Sequence, residues 1–99
     1  MSMTQPPTYT AYIRFPLSTV PTTTDTTGTY LVECPELDDN RGKVAMQMLS
    51  AQSWLDAREL LHHHVKTYDN SCHASGTGEI AIVLNDRDTA LMLKLAVQP

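Results

Sequence analysis

Apolar and polar positions alternate most cleanly over residues 9–15. Tyr9, Ala11, Ile13 and Phe15 fall on one side, and Thr10, Tyr12 and Arg14 on the other. That period predicts a half-buried strand, which Pro16 ends. Residues 29–34 place Tyr30, Val32 and Cys34 on one face and predict a second strand. Over residues 43–49, Val44, Met46 and Met48 alternate as a strand would, although Ala45, Met46, Met48 and Leu49 also suit a short helix. Gly42 before the segment and a helix start at residues 50–53 favour the strand. Residues 79–85 hold Ile80, Ala81, Ile82, Val83 and Leu84 without a break, the mark of a central strand covered on both faces.

Residues 53–68 predict the main helix. Ser53 is placed as an N-cap with Asp56 at the capping-box position, and Trp54, Ala57, Leu61, Val65 and Tyr68 form one stripe. Asp86 or Asp88 opens a short C-terminal helix through about residue 93, after which residues 94–97 turn back as a short edge strand. The sum is an α+β fold: an antiparallel sheet of about four strands, one main amphipathic helix packed on it, and a short C-terminal helix. Residues 1–99 form one small domain. Residues 1–8, with Pro6 and Pro7, read as a loose start. Residues 35–42 read as a turn-rich acidic link.

The oddest stretch is residues 16–28, with six threonines between Thr19 and Thr27. A solvated hairpin loop is the favoured reading. A binding loop built on Thr22, Thr23, Thr24 and Asp25 is the sharper one, since loops of this length are often functional.

Charge narrows the partners. Eleven acids against seven bases give −4, and the bases are scattered. This argues against nucleic acid and suits a protein partner of basic surface. No leader pattern and no membrane-length apolar run is visible. A cytoplasmic location, no membrane association and reduced Cys34 and Cys72 are therefore expected.

Candidate chemistry is weak. Consecutive helical side chains diverge by ~100°, so His62, His63 and His64 cannot converge on one ion. Glu59, His63, Cys72 and His73 form a conceivable metal set, but no spacing demands it, and solvated histidines are the favoured reading. No metal and no cofactor is expected. No catalytic residue is assigned: Cys34 and Cys72 lack a nucleophile signature, and Ser71 and Ser75 lack a G-x-S-x-G context. Asp38-Asp39 and Asp86/Asp88 sit where turns and helix starts favour acids anyway. Gly76-Thr77-Gly78 leads into a strand, whereas phosphate loops lead into a helix. Trp54 suits either the core or an interface anchor. Leu55, on the far side of the helix from Leu61, is the apolar residue hardest to bury, and with Leu60 and Tyr12 it points to a contact surface. A one-helix, one-sheet domain of this size often covers its open face by forming a homodimer.

The C-terminal run Asn85-Asp86-Arg87-Asp88-Thr89-Ala90-Leu91-Met92-Leu93-Lys94-Leu95 resembles a tail of short bacteriophage-encoded proteins, in which an apolar strand precedes acids, a small residue and a closing Lys-Leu. The chain departs from that pattern at Leu93, where an aromatic is commoner, and it lacks a final aromatic. The resemblance covers the last fifth of the chain and implies a phage-type origin without carrying over a functional residue. The expected function is a non-enzymatic interaction factor, a phage-type accessory or inhibitor protein that binds a host protein. One alternative is a small metal-dependent enzyme or metal-binding domain using Glu59, His63, Cys72 and His73. Another is a small ligand-binding or subunit-like structural domain.

Overall fold

The computed structural model describes residues 6–25 and 28–97. The expected loose start over residues 1–5 lies outside them. Chain order is β1 (Tyr9–Pro16), β2 (Thr22–Asp25), β3 (Gly28–Leu31), α1 (Pro35–Ala57), a 3₁₀ turn (Leu61–His63), β4 (His64–Asp69), β5 (Thr77–Leu84) and α2 (Arg87–Val97). The α+β class holds. Among the described residues the sheet has three antiparallel strands in the order β1-β5-β4, and β2 pairs only with β3 in a separate hairpin.

β1 alternates as its sequence demands, burying Ala11, Ile13 and Phe15 and exposing Thr10, Tyr12 and Arg14. β5 is central and carries Ile80, Ile82 and Leu84 into the core. Gly78 is obligatory on the same face, because a Cβ there would lie 2.4 Å from the Phe15 ring. Leu93 and Ala90 of α2 and Val44, Ala51 and Leu55 of α1 pack onto this face. Both helices thus cover one side of the sheet, and the other side is left bare.

The region 35–68 departs most from expectation. The link 35–42 and the predicted strand 43–49 are both part of α1. Leu37, Asn40, Val44, Ala51 and Leu55 are buried, and Met48 packs against them. Their three- and four-residue steps make a continuous helical stripe, which outweighs the local alternation of Val44, Met46 and Met48. Met46 is 64% exposed, on the opposite side. Pro35 stands at the helix start with Glu36 and Asp38 in the first turn, a favourable arrangement at an electropositive terminus.

The predicted helix 53–68 is also divided. α1 stops after Ala57, and residues 64–69 are strand β4. Glu59 adopts φ 59°. The Glu59 amide donates to the Asp56 carbonyl at 3.0 Å, and the Leu60 amide donates to Leu55 at 2.8 Å. These two bonds close a Schellman motif in which the left-handed residue is Glu rather than the usual Gly. The stripe through Leu61, Val65 and Tyr68 therefore has no helix to ride on.

Two smaller differences remain. Residues 94–97 continue α2 instead of forming an edge strand. The Thr-rich segment 16–28 contains β2, because β-branched threonines suit an extended chain; the strand expected over 29–34 shortens to β3.

Candidate interaction surfaces

The β2–β3 hairpin is an arm. Thr22 pairs with Leu31, Thr23 with Tyr30, Thr24 with Thr29 and Asp25 with Gly28. Its base is closed by the Val32 amide donating to the Pro21 carbonyl at 3.1 Å. Tyr30, Leu31 and Val32 are all exposed, so β3 and the residue after it bury no large side chain. The molecule measures 50 × 37 × 16 Å with a radius of gyration of 16.3 Å. A compact chain of this length has a radius near ~13 Å. The short dimension is two layers thick, and the long one exceeds the ~34 Å that a helix of α1's length spans.

The bare sheet face is a second surface. Tyr12 and Tyr68 flank Ala81 in register. Both rings are half exposed, while Ala81 between them is 4% exposed. Arg14 and Glu79 pair at 2.7 Å beside this row, and the Lys66 ammonium stands 4.9 Å from the Tyr68 ring centroid.

A third surface lies at the end of α1. Met48, Ala51, Gln52 and Leu55 face Leu61, His64, Thr67 and Ile82 across a groove of about 200 Å³. Its lip is β4, an edge strand with a bulge at Val65 where His64 and Lys66 oppose Leu84 and Val83. An edge strand offers unpaired backbone groups to another chain.

These placements sort the residues singled out by sequence. Tyr12 is on the open face, and Thr22, Thr23 and Thr24 are exposed on the arm. Asp25 ends β2; its side chain lies outside the described ones. Leu55 is corrected: it is 1% exposed and belongs to the core. The cause is the helix stripe beginning at Leu37, which turns Leu55 inward. Leu60 is half-buried against the same core, drawn in by the Schellman turn. Residues 30–32 of the arm and the groove escaped sequence reasoning. The exposed face of a strand and a groove between remote segments leave no local signal.

The metal set does not assemble. Glu59 caps α1, His63 Nδ1 lies 2.7 Å from Asn85 Oδ1, and Cys72 bridges to Thr77 across the β4–β5 loop. His73 Nδ1 is buried without a partner. Among the described residues no three His, Cys, Asp or Glu side chains are grouped to hold a metal ion. Cys34 and Cys72 are free thiols. The Ser75 hydroxyl, then its backbone amide, holds the Cys72 thiol below its usual range. Two bonds of Thr89 do the same for Asp86, with smaller help from His63 and His62. No helix among the described residues is long and apolar enough to cross a membrane. Compared with known protein families, curated proteins and solved structures, the chain gives no match.

Proposed function

We propose that the chain is a non-enzymatic protein-interaction factor that meets its partner through the β2–β3 arm. The observation that carries this reading is the arm itself: a hairpin held at its base, bonded within itself, with Tyr30, Leu31 and Val32 exposed. Large side chains presented on a preformed β-ribbon suit anchoring in another protein. The formal charge of −4 over the whole chain supports a partner of basic surface. The free thiols of Cys34 and Cys72 fit a reducing, cytoplasmic setting. An accessory role of phage type, on a host protein, is the finer reading that the resemblance of residues 85–95 supports.

A photo-crosslinking amino acid at position 30, introduced in the cells that make the protein, tests this. A discrete adduct with a polypeptide is expected, and its identity separates a host protein from another copy of this chain. The same label at exposed Lys43 is the control. No adduct at position 30, or the same adducts at both positions, would contradict the proposal.

A further inference from the structure

Most of the seven bases are engaged. Among the described residues, Arg14 and Arg41 meet carboxylates, and Arg58 and Lys66 lie over the rings of Trp54 and Tyr68. Arg87 and Lys94 have neither kind of partner there, and both line one cavity between the start of β1 and α2. They are two helical turns apart on one face of α2, ~10.5 Å along its axis. Ala90 and Leu91 lie between them on the helix, and Tyr9 and Thr10 face them from β1. Leu91 is half exposed, so its apolar surface is open to a ligand.

No carboxylate lines this cavity. Asp86 is occupied by the Thr89 amide and hydroxyl, and Asp88 is turned ~100° from Arg87 around the helix. Two cations therefore face one space of about 290 Å³ in a chain whose formal charge is −4. A dianion there neutralises both. A phosphate monoester carries nearly two negative charges at neutral pH. A guanidinium grips two of its oxygens, and an ammonium meets it as a point charge. The volume is more than a bare phosphate fills and stands at the lower edge of small-molecule sites. The remaining space is bounded by Tyr9, Ala90 and Leu91, which suits an apolar body the size of one ring.

We infer that the cavity binds a small organic phosphate, with its phosphate monoester on Arg87 and Lys94 and a ring-sized apolar body against Tyr9, Ala90 and Leu91. The site lies at the end of β1 where Tyr9 pairs with Leu84, whereas the arm leaves beyond Pro16 at the other end. It adds a ligand to the interaction role proposed above and stands whether or not the arm meets a partner.

Isothermal titration of the full-length chain with phenyl phosphate and with inorganic phosphate tests it. Arg87→Gln and Lys94→Gln each remove one exposed charge from the cavity, and Lys43→Gln removes one from an exposed position on α1. Circular dichroism establishes that all three fold. Phenyl phosphate should bind one to one, and less tightly at high salt. Each cavity variant should weaken it about tenfold, the loss of one charge-assisted hydrogen bond, and Lys43→Gln should leave it unchanged. Amide shifts in nuclear magnetic resonance should move at Ala90 and Leu91 and stay still in the arm. Inorganic phosphate, without the ring, should bind about tenfold more weakly. A blocked phosphotyrosine should bind no more tightly than phenyl phosphate, because its backbone lies outside the cavity. No binding of phenyl phosphate at millimolar concentration, or an affinity that both cavity variants leave unchanged, would overturn the inference. Inorganic phosphate binding as tightly as phenyl phosphate would remove the apolar body, and tighter binding of the phosphotyrosine would replace the small molecule by a modified protein; either overturns the ligand assigned.

Discussion

The Asn40 side-chain amide grips the backbone of Ser18 from both sides. Its Oδ1 accepts from the Ser18 amide at 2.9 Å, and its Nδ2 donates to the Ser18 carbonyl at 2.7 Å. Asn40 is fully buried, so α1 holds the strand-to-arm connection as a neighbouring strand would. Ser18 lies between the end of β1 and Val20, whose amide donates to the His73 carbonyl at 2.9 Å. The root of the arm is thus tied to both the helix layer and the β4–β5 loop.

Asn40→Ala should therefore destabilise the chain by about 1–3 kcal/mol, because it leaves two part-buried backbone groups of Ser18 without their partner. Urea unfolding measures this. A loss no larger than that of an exposed control such as Gln52→Ala would mean that Ser18 finds water when the amide is removed.

Glu59→Gly should do the opposite. Glu59 holds a left-handed backbone at φ 59°, a conformation that disfavours a side chain by ~1–2 kcal/mol. Part of that is offset by glycine's freedom in the unfolded chain, leaving a net gain of about 0.5–1 kcal/mol. Chemical denaturation should show a higher midpoint at unchanged slope.

Leu55→Ala tests the corrected placement of that residue. A surface leucine would tolerate the change, whereas one packed in a core loses about 2–5 kcal/mol to the lost contacts and the cavity. The full chain should unfold well below the unaltered protein's temperature, and retained stability would put Leu55 back on the surface.

The start of α2 sets an acid limb. Asp86 Oδ2 accepts from the Thr89 hydroxyl at 2.6 Å and from the Thr89 amide at 3.0 Å. These bonds hold its pKa below the ordinary 3.8. The folded state then binds the proton more weakly than the unfolded one. Its stabilising contribution is present above the unfolded pKa and is lost as pH falls through the lowered one. Thermal unfolding from neutral pH to about pH 2 should decline less steeply below pH ~4 for Asp86→Asn, which keeps a capping oxygen but does not titrate. Parallel declines would remove Asp86 from the acid response.

How much of this was legible depended on range. β1 is legible because its alternation reports burial directly; the unbroken apolar run of β5 marks its central place but overstates its cover, since the face of Ala81 and Val83 carries no helix. The C-terminal helix was readable from Asp86, a local capping residue. α1 was not, because Gly42 and the Val44–Met46–Met48 alternation mimic a strand over seven residues, while the governing stripe runs from Leu37 to Leu55. Nor was its end: the stop is a left-handed Glu59, where sequence rules look for Gly. The arm's threonines are legible as a possible binding loop. The sequence places Tyr30 and Val32 on one strand face with Cys34 and gives no sign that they are exposed, since nothing local tells a covered face from a bare one. The groove joins residues 48–55 to residues 61–82, and only folding brings them together.

The most direct test of the account is to remove the arm. Pro21 and Val32 already meet through a backbone bond of 3.1 Å, so residues 22–31 can be replaced by a two-residue Gly-Ser link. The shortened chain should keep its circular dichroism and nearly its unfolding temperature, and in the cells that make it, it should no longer recover the polypeptide that the position-30 adduct identifies. Recovery of that polypeptide equal to that by the intact protein would show that the arm is not where this protein meets another.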